Sequence, residues 1–286
     1  MKNLKIDYYQ LMDLRIDYAF KLLFTKGDPR LLVSLLNAIF ANKKIRRVIK
    51  SLSVKNPYLE KESSKDKLSI LDIRAELDDG TAILIEMHMY GIGELKAKTI
   101  RSWARFFAEE LEVGESYAGQ PPVISIAFAD GAVELAEKKG NGKIHRLCMI
   151  MDLEDSTVFS NAMELHYIDM KAFAKAVNEA GGININDTEE AMFVKWLSVI
   201  TQKEIIDKTI IENACKDEED ILMAVSTLAK QSEDKYTRQA YQRRQDEIYF
   251  YNKSKFEAEH TQRVLEQALA DKDALIAKLQ AELNSR

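Results

Sequence analysis

The segment ILDIRAELDDGTAILIEMH, residues 70–88, contains two apolar stretches on either side of the turn sequence Asp78-Asp79-Gly80. Mixed β-branched and charged residues before the turn, and the apolar run of residues 82–85 after it, predict two strands. A continuous run of this kind is typical of a strand that is covered on both faces. The segment therefore predicts a hairpin whose second strand is buried.

Three polar side chains interrupt the apolar strands of this hairpin, and they are Asp72, Glu86 and His88. A three-residue loop with a left-handed glycine pairs Leu77 with Thr81, and the same register places Asp72 opposite Glu86. His88 then lies on the same face of the sheet as both carboxylates. A two-residue loop would instead turn Asp72 to the other face, so the geometry depends on this turn.

Two carboxylates opposed across a hairpin repel each other, and a divalent cation relieves the repulsion. Mg²⁺ and Mn²⁺ prefer oxygen ligands, and such an ion can activate water and stabilise charge on a phosphate. The alternative is a structural arrangement in which neighbouring Lys or Arg side chains satisfy Asp72 and Glu86. From the hairpin alone, both interpretations remain open.

The rest of the chain alternates helical and strand-like patterns before it becomes helical only. Two helical segments within residues 18–42 are separated near Gly27-Asp28-Pro29. Strands are predicted at residues 45–54, 68–77, 81–89, 123–129, 146–152 and 164–170, with a helix at residues 94–113. From about Asp187 onward the pattern predicts helices alone.

In their order and spacing, several short motifs resemble the Rpn-type (recombination-promoting nuclease, putative transposase) branch of the PD-(D/E)XK nucleases over roughly the first 200 residues. The motifs are Asp17-Tyr18-Ala19-Phe20-Lys21 with Phe24, Leu35-Leu36-Asn37-Ala38-Ile39, Leu71-Asp72-Ile73, Ile85-Glu86-Met87, Arg101, Gly114-Glu115-Ser116-Tyr117 and Pro122-Val123-Ile124-Ser125-Ile126. The resemblance implies an α/β fold with an αβββαβ core, in which helices flank a central mixed sheet, followed by an α-helical C-terminal region.

The same resemblance implies a metal-dependent DNA endonuclease that hydrolyses phosphodiester bonds, with a link to DNA recombination or mobile elements. Asp72 and Glu86 would be ligands of Mg²⁺ or Mn²⁺, and Asp17 would match an additional acidic position near the metal. For Asp17, the alternative is a helix-terminal residue that caps backbone N–H groups.

His88 departs from the family pattern, because the broad superfamily has Lys at this position and the Rpn-type branch usually has Gln. A neutral imidazole can ligate Mn²⁺ or orient an attacking water, which would make His88 a catalytic residue. It equally fits a site that no longer cleaves. The alternative function is therefore a catalytically lapsed nuclease fold that acts as a DNA-binding or protein-interaction module.

Contacts with DNA require a local basic surface, because the formal net charge of the chain is −5. Lys98, Arg101 and Arg105 follow an i, i+3, i+7 spacing on one face of the predicted helix, and Arg101 also matches the family pattern. A solvated polar face is the alternative for these residues. It is also the interpretation favoured for the basic run at residues 43–55.

The predicted domains are a nuclease-like domain at residues 1–185 and a helical region at residues 186–286, with a possible short coiled coil at 262–284. Within the latter, apolar residues follow a 4-3-4 rhythm that one lysine, Lys272, interrupts; they are Leu265, Leu269, Ile276, Leu279 and Leu283. This rhythm predicts a homodimer, and an amphipathic helix lying on its own domain is the alternative.

The polar N-terminal sequence and the lack of a long apolar stretch predict a soluble, cytoplasmic protein that does not enter membranes. Glycine-rich segments lack the spacing of nucleotide-binding loops, so no organic cofactor is expected.

Overall fold

A computed structural model of the chain describes residues 6–43, 45, 47–55, 73–89, 92–109, 114, 116–132, 143–181, 191–216 and 218–284. The chain divides into two compact units, Met1–Tyr241 and Gln242–Arg286. The predicted boundary between residues 185 and 186 falls within a stretch outside the described residues and stays a prediction.

The elements follow one another in a simple order. They are α1 (Asp17–Lys26), α2 (Pro29–Ala41), β1 (Leu52–Lys55), β2 (Ile73–Leu77), β3 (Ala82–His88), α3 (Ile92–Glu109), β4 (Val123–Ala129), β5 (His145–Asp152), β6 (Thr157–Asp169), α4 (Met170–Glu179), α5 (Ala191–Ile200), α6 (Thr209–Cys215), α7 (Glu219–Glu233) and α8 (Lys235–Asn284). The break between α1 and α2 lies where the sequence predicts it, since Asp28 caps α2 through Arg30 N at 2.9 Å and Pro29 begins the helix.

The strands form one mixed sheet in the order β1-β2-β3-β4-β6-β5. Strands β1, β2 and β3 pair antiparallel, whereas β3, β4 and β6 pair parallel, and β5 runs antiparallel to β6 at the edge. A parallel pair needs a crossover connection, and helix α3 supplies it between β3 and β4. This order of elements confirms the predicted αβββαβ core and its central mixed sheet.

The β2–β3 hairpin has the predicted three-residue loop. Leu77 N donates to Thr81 O at 2.9 Å, and Gly80 has a left-handed φ of 82°. The Cα register pairs Ile73 with Ile85. Arg74 pairs with Leu84 in this register, so even-numbered residues of both strands share one face of the sheet.

Each face of the sheet is covered by helices. On one face, Leu84 of β3 and Val123 of β4 form a core cluster with Phe106 of α3. On the other face, Phe20 of α1 packs against Phe128 of β4 with ring centroids 5.5 Å apart. Covering on both faces explains the uninterrupted apolar sequences of β3 and β4.

Some predicted boundaries are wrong. Strand β1 begins only at Leu52, although the sequence predicted a strand from residue 45, and β6 begins seven residues before its predicted start at residue 164. Met170 was predicted to end a strand, yet it begins α4, because the Asp169 side chain accepts a hydrogen bond from Ala172 N and caps that helix. The sequence pattern did not predict α4.

The helices after the sheet also belong to the first compact unit. Helices α5 and α7 pack against α2, and Trp196 of α5 donates to Ser34 Oγ at 3.2 Å. Helix α8 continues into the second unit. Among the helices that the structure describes, none is both long and apolar enough to cross a membrane.

Candidate active site

Glu86 is a buried carboxylate near the C-terminal end of β3, with a residue exposure of 7%. It lies on the face of the sheet that α3 covers, because Leu84, two residues earlier, packs against Phe106 of that helix. In the parallel neighbour β4 its Cα partner is Ala127. The carboxylate is therefore held between a strand and a helix, where burying a charge requires compensation.

Two basic side chains compensate the charge of Glu86 through a single oxygen. Its Oε2 atom lies 2.7 Å from His88 Nε2 and 3.6 Å from Lys98 Nζ. Burial alone would raise the pKa of Glu86, but the His88 hydrogen bond and the positive charge of Lys98 outweigh burial and lower it. Glu86 is therefore ionised at neutral pH.

The second oxygen of Glu86 differs from the first. Glu86 Oε1 is buried and has no hydrogen-bond partner among the described residues, and the same holds for Ser125 Oγ on β4. Both residues line a small pocket between the sheet and α3, together with Leu84, Thr99, Ser102, Ile126 and Ala127. Buried polar atoms are normally satisfied by protein, water or an ion, so the pocket offers two atoms for such a ligand.

The other predicted acidic residues have different positions. Asp72 lies outside the described residues; it directly precedes Ile73, which pairs with Ile85. Asp17 is the first residue of α1, and its Oδ1 accepts a hydrogen bond from Tyr18 N at 2.8 Å. Asp17 thus accepts a backbone N–H at the start of α1, as the capping alternative expects. The N-cap position itself, however, is Ile16.

The described part of this site offers one ligand group for a divalent ion. Glu86 supplies an ionised carboxylate with one unsatisfied oxygen, and Mg²⁺ and Mn²⁺ prefer such ligands. Within the described ranges, no three His, Cys, Asp or Glu side chains converge on a common point for a metal ion.

The predicted basic face of α3 is present, but its three members differ. The Lys98 side chain is 52% exposed while its ammonium reaches Glu86, and Arg101 is exposed. Arg105 Nε donates to Glu109 Oε1 at 2.8 Å. In the basic run at residues 43–55, Lys55 pairs with Glu76, while Lys44 and Arg46 lie outside the described residues. Among the described cations of these two groups, Lys98 of α3 is the one that forms an ion pair with Glu86.

A polar chain on the opposite face of the sheet contains His145 and His166, and the sequence did not predict it. Asn42 Oδ1 lies 2.6 Å from His145 Nδ1, His145 Nε2 lies 2.8 Å from His166 Nδ1, and His166 Nε2 lies 2.8 Å from Glu164 Oε1. Arg47 binds both oxygens of Glu164. Because every ring nitrogen is bonded within the chain, these residues do not present a ligand site.

Burial controls the ionisation of this polar chain. It lowers the pKa of His145 to about 2, with the charges of His166 and Lys43 acting in the same direction. Burial also lowers the pKa of His166, despite the opposing carboxylate of Glu164. His145 is therefore neutral at physiological pH, which supports a structural role. Strand alternation places Glu164 and His166 on one face of β6, but it does not reveal their contact with each other or with His145.

The mixed sheet, the crossover helix and the buried Glu86 beside it define a PD-(D/E)XK nuclease-like protein. The sequence model of the PD-(D/E)XK nuclease family transposase matches residues 14–258, and the chain belongs to that family. No curated protein and no solved structure matches the chain. The family assignment indicates nuclease-type chemistry, and PD-(D/E)XK nucleases generally use divalent metal ions.

Proposed function

We propose that the protein is a metal-dependent DNA endonuclease of the cytoplasm that hydrolyses phosphodiester bonds. The observation that carries the proposal is the buried, ionised Glu86, one oxygen of which has no partner among the described residues. Its position beside the basic face of α3 supports a substrate that is a polyanion. A role in DNA recombination or in mobile elements follows from the family description alone.

In this proposal, Glu86 and Asp72 hold Mg²⁺ or Mn²⁺, with Asp17 as a further acidic group at the end of α1. When bound, the ion activates water and stabilises charge on the phosphate. His88 fixes Glu86 through its Nε2 atom, which leaves Nδ1 as the ring nitrogen that can orient the attacking water. Arg101, Lys98 and Arg105 bind phosphates of the DNA backbone and position the strand.

The proposal is tested by nicking of supercoiled plasmid in Mg²⁺, Mn²⁺ or EDTA, with the wild-type chain and the variants Asp72→Ala and Glu86→Gln. Nicking should depend on the metal, and each variant should lower its rate by at least about a hundredfold. Glu94→Gln is the matched control, since Glu94 is an exposed carboxylate in the first turn of α3. Undiminished nicking by Asp72→Ala would refute the site.

A second candidate function is a DNA-binding or interaction module without catalysis. His88 favours it, because the Lys or Gln that this position holds in nucleases of this type is absent and Glu86 already has two basic neighbours. Metal-independent DNA binding without nicking would support this candidate. Absence of both nicking and DNA binding would leave protein interaction as the function.

We also propose that the chain forms a homodimer through α8. Large apolar side chains of this helix are exposed at coiled-coil spacing, and they are Leu265, Leu269, Ile276 and Leu279. Apolar side chains repeated every three and four residues along a helix pair readily with a second copy. Dimerisation is compatible with both candidate functions.

A further inference from the structure

The two basic groups at Glu86 Oε2 differ in how far a substrate can reach them. The His88 side chain is 10% exposed and the Lys98 side chain is 52% exposed. His88 belongs to the same strand as Glu86, whereas Lys98 comes from α3 and about half of its side chain is exposed to solvent. A phosphate that approaches Glu86 from solvent therefore meets Lys98 before it meets His88.

The contact between Lys98 and Glu86 is loose. Its 3.6 Å separation exceeds the usual length of a charge-assisted hydrogen bond, which is about 2.7–2.9 Å. His88 Nε2, by comparison, lies at 2.7 Å from the same oxygen. A long, flexible ammonium side chain that is not held tightly can exchange one anionic partner for another at small cost. The geometry thus makes Lys98 the movable member of the pair.

We propose that Lys98 is a catalytic residue with two successive anionic partners. It neutralises Glu86 while no divalent ion is bound, and it turns to a non-bridging oxygen of the scissile phosphate once metal and DNA are in place. There its charge stabilises the negative charge that develops during hydrolysis. Lys98 forms no covalent bond and transfers no proton. This inference rests on the proposed function, and it assigns Lys98 a different role from Arg101, which positions the DNA.

The proposal predicts opposite effects of Lys98→Gln on metal binding and on cleavage. Because a positive charge close to Glu86 is removed, Mn²⁺ should bind about tenfold more tightly in titration calorimetry. The single-turnover rate at saturating DNA should fall by about a hundredfold, because stabilisation in the transition state is lost. Lys98→Arg keeps the charge and should return the Mn²⁺ affinity to the wild-type value together with part of the rate.

Lys96→Gln is the matched control, since Lys96 is an exposed lysine two residues earlier on the same helix. It should leave both the Mn²⁺ affinity and the cleavage rate unchanged. Unfolding curves check that every variant is folded at the assay temperature, because Lys98→Gln creates no cavity but removes one of the two basic neighbours of Glu86.

Two results would overturn the assignment. Unchanged or weaker Mn²⁺ binding by Lys98→Gln would show that Lys98 does not compete for Glu86. A rate that returns to the wild-type value at saturating DNA would show a role in binding alone.

If the wild-type chain does not nick DNA but Lys98→Gln still binds Mn²⁺ more tightly, the nuclease function fails and the place of Lys98 at the metal site stands. If neither chain binds Mn²⁺, both proposals fail.

Discussion

At the scale of single residues, Gly80 determines where the charged side chains of the hairpin fall. Its φ of 82° closes the three-residue loop, and that loop sets the register in which Ile73 meets Ile85. A Cβ atom at this position would also meet Pro121 Cγ at 3.1 Å. The sequence offered this register and the alternative of a two-residue loop, and the left-handed Gly80 and the Leu77–Thr81 bond decide for the three-residue loop.

Gly80→Ala should lower the free energy of unfolding by about 1–3 kcal/mol, since alanine is strained at this φ and its Cβ crowds Pro121. Chemical denaturation measures the change. Gly93→Ala is the control, because nothing lies within 4 Å of its Cβ position and it is helical. That variant should be as stable as the wild type or more stable by up to about 1 kcal/mol. Equal stability of the two alanine variants would contradict the role of Gly80.

His145 gives the protein a pH-dependent stability. An unfolded histidine takes up a proton below pH 6.5, whereas His145 remains neutral in the folded state until its pKa of about 2. The folded state is therefore penalised as the pH falls below 6.5, and no penalty exists above it. Between pH 7 and pH 5.5, the wild type should lose about 1 kcal/mol more of its unfolding free energy than His145→Gln loses.

His260→Gln is the control for this comparison, because His260 is exposed on α8. It should show the same pH dependence as the wild type. If His145→Gln also retained the full dependence, the loss would have to come from other groups. His145→Gln itself should be less stable than the wild type at pH 7, because it disrupts the bonds to Asn42 and His166.

At the scale of elements, the local sequence predicted the bounds of strands that are buried on both faces. It did not predict the bounds of strands whose length depends on pairing with a neighbouring strand. Strand β4 has the predicted bounds, since its apolar run ends abruptly at Asp130. Strand β6 is longer than predicted because its first half pairs only with β5, and pairing rather than hydrophobicity maintains it. The contact of His145 with His166 joins residues that are 21 positions apart, and no spacing rule connects them.

Helix α8 provides the element-scale test of dimerisation. In light scattering, the full chain should have the mass of a dimer. A chain that ends at His260 should have the mass of a monomer, because it lacks the exposed apolar residues of α8. The double variant Leu269→Glu, Leu279→Glu should have the same effect in the full-length protein. Gln267→Glu, at an exposed position that is not among these apolar residues, is the control and should stay dimeric. An unchanged mass after truncation would rule out this interface.

At the scale of the whole molecule, the negative net charge does not favour non-specific binding to nucleic acid. With a net charge of −5, the chain repels DNA except where cations are concentrated, as on the exposed face of α3. The sequence alone indicated this face by its spacing. It did not indicate that Lys98 would turn toward Glu86 or that Arg105 would pair with Glu109, since both depend on side-chain contacts.

Binding of DNA to so few cations should show a shallow salt dependence. With two or three phosphate contacts, the logarithm of the association constant should fall with the logarithm of the salt concentration with a slope of about −2 to −3. Arg101→Gln should reduce the steepness by about 1, and Lys96→Gln should not change it. Fluorescence anisotropy over a series of KCl concentrations measures both. An unchanged slope for Arg101→Gln would exclude Arg101 from the contact.

The contacts of Glu86 with His88 and Lys98 also affect the folded protein before any metal ion binds. Many metal sites are collections of like charges that stay open or unfolded until the ion arrives. Here Glu86 already has a hydrogen bond with His88 and an ion pair with Lys98 when folding ends. Under the proposed function, the chain would fold before any ion binds, and a divalent ion would then act as a late trigger and not as a scaffold.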